Sequence, residues 1–378
     1  MRNILITTFS ILIILLLIMP NYPCKKVCTE LVLTNDEKGQ NYPVLSEKYL
    51  LWTNQTEIDD QELVIYDYQN NHFVRNTGEK RMWKNYQIYG DIIVFTSWDW
   101  RFDINKSKYV LDLSFYNISS GEIKLVSDSG AKPDIFQNKI VFTNVTYTEN
   151  STILYTDIVL YDLSISNYLT ISEKNFTNGN PNIWGNYIVW EQYFNNNQSI
   201  ILYDIIKKTI KRLTLNDSFS SLPRIFNSIV VWKEISTKEI DPQNESIIVY
   251  DIQTDEKKTI LTTNNNINEI KIYNTNIIWT TEQKVFFHDL KNNDTLIVNQ
   301  RDYISPAIDI WKNKIAYVAY YPFPHASTSE IHLITINSAS GERGTDYTTI
   351  KLSISIILIL LTLIVFFILY SKRKRNRT

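Results

Sequence analysis

The chain is poor in the residues that build special-purpose scaffolds. Of its 378 residues only two are cysteine, nine glycine and ten proline. Two cysteines cannot staple a disulfide framework, and so few glycines exclude collagen-like repeats and glycine-rich linkers. Histidine occurs four times, as His72, His288, His325 and His332, with no His-Glu-x-x-His pair among them. Also missing are a Gly-x-Ser-x-Gly elbow, a phosphate-binding glycine loop and an Asp-x-Asp-x-Asp-Gly calcium loop. The acidic stretch 57–62 is more simply a solvated loop than a calcium site. An enzyme is therefore not expected, nor any cofactor or metal. Excess charge of one sign is missing too, the formal net charge being −2. Seven of the 38 basic residues (Arg2, Lys351, Lys372, Arg373, Lys374, Arg375 and Arg377) stand at or beyond two terminal apolar runs, leaving 31 basic against 40 acidic side chains. A net-acidic body excludes nucleic acid as a partner on charge.

Long apolar runs are present at both ends. Residues 4–19 are 16 uncharged residues preceded by Arg2, the layout of a signal-peptide core within 1–23 or of an uncleaved signal anchor. Residues 352–370 are 19 uncharged residues, enough for a helix to span ~30 Å of hydrocarbon. The basic tail 372–378 follows at once, and by the positive-inside rule it is cytoplasmic while the middle of the chain is outside. The expected placement is the cell membrane, with a transmembrane helix over 350–371 and a linker over 337–349. The protein is single-pass if the first run is cleaved and two-pass if it is kept. Cys24 and Cys28, beside the first run, are read as a possible small-loop disulfide in an oxidising compartment.

Aromatic residues are abundant, with 24 Tyr, 16 Phe and nine Trp, a mixture that favours strands. They recur in one pattern: an extended piece, a polar turn and an apolar triplet closed by an aromatic. Examples are Pro133–Phe142 (PDIFQNKIVF), Pro181–Trp190 (PNIWGNYIVW) and Pro223–Trp232 (PRIFNSIVVW). The closing aromatics are Trp52, Phe95, Phe142, Trp190, Trp232, Trp279 and Tyr317, 38 to 48 residues apart. A second marker follows in each unit, as Ile65-Tyr66-Asp67, Leu202-Tyr203-Asp204 or Val249-Tyr250-Asp251. Its Asp suits a turn, because the side chain can bond backbone two residues on. One unit then supplies four strands: A (Asn182–Trp184), B (Tyr187–Glu191), C (Ile200–Ile206) and D (Thr209–Leu215). Four short strands every 44 residues or so predict an all-β chain, a β-propeller over 29–336 of seven four-stranded blades, or six if an end unit does not count. The seventh unit lacks strand D, and Thr29–Thr34 resembles one. We expect it to complete the last blade and close the ring.

The pieces Ile183–Trp190 and Tyr250-Asp251 give the chain a resemblance to TolB-like propeller repeats of surface proteins, especially archaeal ones. The likeness covers about 29–336. It implies a propeller that serves as a binding or scaffolding module. The Ser-Pro-Asp-Gly turn of that repeat is replaced here by Gly90-Asp91, Gly185-Asn186 or Asn313-Lys314.

Binding residues are sought in the longest connections, which join strands B and C. Trp98, Asp99, Trp100 and Arg101 form the sharpest cluster, in a predicted loop over 96–109. Tyr193 and Phe194, and Tyr320, Tyr321 and Phe323, are placed in loops of the same end. Exposed rings beside polar groups suit a sugar or a protein partner; the competing reading packs them between blades. Ten Asn-x-Ser/Thr sequons occur, at Asn54, Asn105, Asn117, Asn144, Asn150, Asn175, Asn197, Asn216, Asn244 and Asn293. All but Asn117 and Asn293 are taken as glycosylation candidates. The expected function is a membrane-anchored extracellular binding module for a protein or glycan. A structural envelope component and a carbohydrate-active propeller enzyme are the alternatives.

Overall fold

The computed structural model describes residues 27–34, 39–55, 61–76, 82–103, 108–147, 153–174, 176–194, 197–214, 218–236, 244–300, 304–320 and 329–337. The two apolar runs, the linker beyond Asn337, the basic tail and Cys24 lie outside these residues. The chain falls into two units, Cys28–Thr335 and Met1–Val27 with Ile336–Thr378. Nearly all described residues belong to the first.

Among the described residues there are 28 strands and no helix. β1 (Val27–Val32) stands apart at the start. The first sheet is β2 (Gln40–Leu45), β3 (Tyr49–Gln55), β4 (Gln61–Asp67) and β5 (His72–Asn76), and the second is β6 (Met82–Tyr89), β7 (Ile92–Asp103), β8 (Lys108–Asn117) and β9 (Ile123–Ser127). The third is β10 (Gly130–Phe136), β11 (Lys139–Tyr147), β12 (Ile153–Asp162) and β13 (Asn167–Thr170), and the fourth β14 (Thr177–Trp184), β15 (Tyr187–Phe194), β16 (Asn197–Asp204) and β17 (Thr209–Arg212). The fifth is β18 (Ser218–Phe226), β19 (Ile229–Ser236), β20 (Glu245–Asp251) and β21 (Glu256–Thr263), and the sixth β22 (Glu269–Tyr273), β23 (Asn276–Thr280), β24 (Lys284–Asp289) and β25 (Asp294–Gln300). The seventh is β26 (Ile304–Trp311), β27 (Lys314–Tyr320), β28 (Ser329–Asn337) and, at its edge, β1. Each is an antiparallel meander in which consecutive strands pair. Single parallel bridges, Thr156 to Thr177 and Gln198 to Phe219, fuse the third, fourth and fifth sheets.

The apolar triplets have a physical reason. A strand sandwiched between two neighbouring sheets buries both of its faces, so it carries a continuous apolar run rather than an alternating one. In β11, Ile140 and Phe142 pack toward the second sheet with Val94 and Leu113, while Val141 packs toward the fourth with Ile183 and Trp190. The seven closing aromatics are all buried, with none above 2% exposed. Each such ring contributes roughly 2–3 kcal/mol on leaving water. Similar clusters join the first sheet to the second, the fourth to the fifth and the fifth to the sixth, and one joins the last sheet to the first: Ala316, Val318, Ile331 and Leu333 pack with Leu50, Trp52 and Val64. The sixth and seventh meet through Tyr273 on Trp311, ring centroids 4.9 Å apart. The sheets therefore form a closed ring.

The turns at one end are short and repeat one construction. The carboxylates Asp67, Asp162, Asp204, Asp251 and Asp289, and the amide of Asn117, each accept a backbone N–H two residues on. The residue after each of them donates its N–H to the neighbouring A–B turn, as Leu163 to Asn138 and Ile205 to Asn186, both at 2.8 Å. Bonds from Ser164 hold the Asp162 carboxyl below its usual range. Burial works against the Asp204 carboxylate, but bonds from the Lys207 and Ile206 amides outweigh it and keep it low. The A–B turns open on a residue at φ of 53° to 60°, filled by Gly90 and Gly185 but also by Gln137, Asn227, Asn274 and Lys312.

The innermost strands knit the ring at its axis. Asp134 Oδ2 accepts Ile183 N at 2.8 Å and Asn182 Nδ2 at 2.6 Å. Asn182 Oδ1 accepts Ile225 N at 2.7 Å, and Asp309 Oδ2 accepts Leu45 N at 2.7 Å. Each clasp reaches from one sheet to the next. Two residues nearer the short turns, Tyr89, Phe136, Trp184, Phe226, Tyr273 and Trp311 form a connected aromatic plug. Trp184 reaches Trp311 at 6.3 Å between centroids, although their sheets are three apart in the chain. The first sheet has Ser46 at this place. There Tyr68 comes in from the C–D turn, donating its hydroxyl to Ser46 O at 2.5 Å, and packs, as Trp311 does, against the cluster that joins the last sheet to the first.

β1 pairs with β28, as expected of the N-terminal segment, over Val27–Val32 rather than 29–34. Leu33 N donates to Ile331 O at 2.9 Å. Glu30 Oε1 lies 2.7 Å from His332 Nδ1, and it also accepts Tyr317 OH and, at 2.9 Å, Asn299 Nδ2 of the sixth sheet. Thr29 stands opposite Thr335, which itself faces Lys314 beside a short turn. Both ends of the Cys28–Thr335 unit thus emerge at its short-turn end.

Candidate binding surface

The opposite end is built from B–C hairpins, and here the expected loops are largely strand. β7 continues through Trp98, Asp99, Trp100 and Arg101 to Asp103. Trp98 stands opposite Leu111 and Asp99 opposite Val110, with a bulge before Phe102. The sharpest predicted cluster is thus carried on a long hairpin rather than in a flexible loop. Alternation of bulky Trp and Phe with polar residues is a strand signal that the loop assignment passed over. Elsewhere the same extension leaves only five residues between β11 and β12, 148–152, and two between β15 and β16, 195–196.

Tyr193 and Phe194 end β15, both exposed. The Tyr193 hydroxyl donates to Glu191 Oε2 at 2.6 Å and accepts Gln198 Nε2 at 3.2 Å. Partial burial, with Glu191 alongside, pushes the Tyr193 phenol well above its usual range, so it is a donor at any physiological pH. Phe194 meets Phe176 edge-on, centroids 5.4 Å apart. Glu191 itself is 1% exposed. It also accepts Asn180 Nδ2 at 2.5 Å and, across to the fifth sheet, Leu222 N at 2.8 Å. The two rings therefore project from a base that is locked within its own sheet and to the fifth. Tyr320, at the end of β27, donates to Asn41 Oδ1 at 3.0 Å. Tyr321 and Phe323 lie outside the described residues.

The bridges between sheets extend this surface. Asn178 is clamped to Thr156: its N–H donates to Thr156 Oγ1 at 2.8 Å, and its Nδ2 to Thr156 O at 2.9 Å. Its Oδ1 takes the indole N–H of Trp190 at 3.0 Å. Just beyond Thr156 stand Ile153, Leu154 and Tyr155, all exposed, and in the second bridge itself stands exposed Phe219. Ile153–Tyr155, Tyr193, Phe194 and Phe219 thus occupy the hairpin end of three successive sheets, tied by the Thr156 and Gln198 bridges. None of these six side chains carries a charge at neutral pH. Sequence reasoning missed Ile153–Tyr155 and Phe219. A signal existed in the unbroken triplet Ile153-Leu154-Tyr155, which precedes the buried part of β12 and has no polar alternation of its own.

The sequons separate by environment. Asn54 is buried and accepts the Trp52 indole N–H at 3.0 Å. Asn144 accepts Ser129 Oγ at 2.8 Å, Asn197 is half-buried in β16, and Asn244 is exposed. Asn105, Asn150, Asn175 and Asn216 lie outside the described residues. Asn117 and Asn293 sit in short turns at the other end. Cys28 is exposed on β1. His288 and His332 are buried in strands, His288 with its Nδ1 2.7 Å from Thr295 Oγ1. Among the described residues no group of three or more His, Cys, Asp or Glu is arranged to hold a metal.

No protein-family model matches the chain, and no curated protein matches it in sequence. Solved structures do match in shape. An oligogalacturonate lyase in complex with manganese aligns at TM-score 0.61 and 12% identity, over 84% of this chain and 98% of that one. The propeller domain of the trilobed protease from Pyrococcus furiosus aligns at TM-score 0.57 and 12% identity, over 74% of this chain and 91% of that one. A putative TolB from Agrobacterium tumefaciens aligns at only 0.44 and 12%, over 63% and 90%, too loosely to place the chain with surface TolB-like proteins. The fold is a β-propeller. At such identities the likeness extends to architecture and not to chemistry. The protease domain is described as having an open velcro topology, whereas here β1 completes the last sheet.

Proposed function

We propose that the seven sheets are the blades of one propeller that serves as a membrane-anchored extracellular binding module, recognising a protein or glycan through its B–C hairpin end. One observation carries the reading. Exposed, uncharged, largely aromatic side chains gather on the hairpins of three tied blades, while both ends of the unit leave from the opposite end. Contiguous exposed apolar surface on a rigid scaffold is the usual mark of an interaction site. The anchor in this reading is the apolar run 352–370, with the basic tail in the cytoplasm. The hairpin cluster Trp98–Arg101 and the sequon Asn244 belong to the same end, the first as a further contact and the second as a glycan site.

The test uses the full chain in lipid nanodiscs on arrays of extracellular proteins and of glycans. Binding to a member of either array is expected, and it is expected to fall at least tenfold with Phe194→Ser plus Leu154→Ser. Binding untouched by that pair, or none on either array, would refute the assignment of this surface. Resistance of the chain to alkaline extraction from membranes, lost on removing 350–378, tests the anchor separately.

A further inference from the structure

Six of the ten sequons fall among the described residues, and the fold treats their side chains differently. Asn54 is buried, and Asn144 and Asn197 are half-buried in strands. Asn117 is half-buried at the start of its turn, where its Oδ1 accepts Ser119 N at 3.0 Å and Ser120 N at 3.2 Å. Asn244 and Asn293 are exposed. Asn244 belongs to the hairpin end, whereas Asn293 stands at the short-turn end, where sequence reasoning expected no glycan.

Asn293 owes its freedom to a change in the repeat. It is the last residue of the C–D turn of the sixth sheet, at φ 51°, a left-handed conformation that Asn adopts more readily than most residues. Asn71 and Asp255 hold the same position in the first and fifth sheets, at 56° and 60°. In both, the side chain accepts the hydroxyl of the strand C tyrosine, Tyr66 to Asn71 and, at 2.7 Å, Tyr250 to Asp255. In the sixth sheet that tyrosine is replaced by His288, which is buried with its Nδ1 2.7 Å from Thr295 Oγ1. Asn293 therefore has no tyrosine hydroxyl to hold it. Its Oδ1 accepts Lys258 Nζ at 3.4 Å, an exposed contact with the neighbouring sheet, and its Nδ2 makes no hydrogen bond among the described residues.

The rest of the sequon is open as well. Asp294 and Thr295 are both exposed, and the middle residue is not proline. They begin β25, the outer strand of the sixth sheet, whose far edge pairs with no other described strand.

We propose that Asn293 is an N-glycosylation site. The inference rests on the reading of the propeller as extracellular. The donor is an oligosaccharide carried on a lipid diphosphate. A bond forms between Asn293 Nδ2 and C1 of the first sugar as the bond from C1 to the phosphate oxygen breaks. That oxygen keeps the electron pair, and Nδ2 gives up one proton. The folded turn accommodates the product because the nitrogen that takes the sugar holds nothing else in place. A bulky hydrophilic group at the start of β25 also blunts an open strand edge.

The test translates the full chain into sealed microsomes that carry the glycosylation machinery. Added protease reports which side of the membrane the propeller occupies. A glycan-removing amidase in heavy-oxygen water turns each glycosylated asparagine into a labelled aspartate, which peptide mass spectrometry locates. The propeller is expected to be protected and position 293 to carry the label. Asn293→Gln is expected to gain mobility by one glycan. Thr295→Ser, which keeps the sequon, is expected to retain the label, and Thr295→Val, of similar shape, to lose it. A protected propeller with position 293 unlabelled, or a label that persists in Thr295→Val, would overturn the inference and leave the extracellular reading standing. A propeller digested by the protease would overturn that reading and the inference with it.

Discussion

Asp134 offers a stringent test of the axial architecture. Its carboxyl is buried where the third and fourth sheets meet. Burial raises its pKa to about 6 from 3.8, against the pull of the Ile183 and Ile135 amides and of nearby Lys271 and Arg224. The unfolded chain keeps the ordinary value. A carboxyl raised on folding binds more protons in the native state, so its contribution to stability is complete below about pH 3.8, declines as pH rises toward about 6, and is level above that. The difference of roughly two pH units corresponds to ~3 kcal/mol lost across the window. Asp134→Asn keeps the size and one acceptor for Ile183 but cannot titrate. Whatever fixed offset the amide introduces, the stability of the variant relative to wild type is expected to climb by ~3 kcal/mol between pH 3.5 and pH 7. Other carboxylates titrate alike in both proteins and cancel in the difference. Urea unfolding followed by tryptophan fluorescence at a series of pH values measures it. A difference that stays level across the window, or that falls with pH, would show that Asp134 is not the desolvated clasp described here.

Three further outcomes follow from the geometry. Glu191→Ala strands Leu222 N, Asn180 and Tyr193 together and is expected to cost ~2–4 kcal/mol, while Tyr193→Phe removes one of those bonds and should cost about 1 kcal/mol; urea midpoints that reverse this order would contradict the network. Glu30→Ala leaves His332, Tyr317 and Asn299 without their shared acceptor and is expected to cost ~2–3 kcal/mol, with faster amide exchange concentrated in Ile331–Thr335 rather than spread over all sheets. Tyr68→Ala removes the side chain that fills the place left by Ser46 in the plug. A loss of ~2–4 kcal/mol is expected, together with a red shift of tryptophan emission as water reaches Trp311.

Much of this architecture could be read from the chain itself, because its determinants are local and repeated. A strand held between two sheets needs apolar residues on both faces, so Ile140-Val141-Phe142 or Val230-Val231-Trp232 announces its burial without any knowledge of its partners. The Asp after each Tyr marks a turn because its bond closes within two residues. The missing fourth strand of the last unit pointed to the N-terminal segment for the same reason, since an unpaired edge must be covered.

What the tertiary structure decided are the contacts whose partners lie far apart in the chain. Trp98–Arg101 alternates as a strand does, but its pairing with an extended β8 was fixed only by the fold. The alignment of Asp134, Asn182, Arg224, Lys271 and Asp309 in the repeat was visible. That three of them clasp neighbouring backbones while the two cations pair with Glu269 and Asp309 emerged only once the ring had brought them to one axis. Tyr68 takes the place of an aromatic that the first repeat lacks, an exchange that no single repeat encodes. Periodicity records what each strand buries, but a closed ring sets seven strands around one centre, and the company they keep there belongs to the whole.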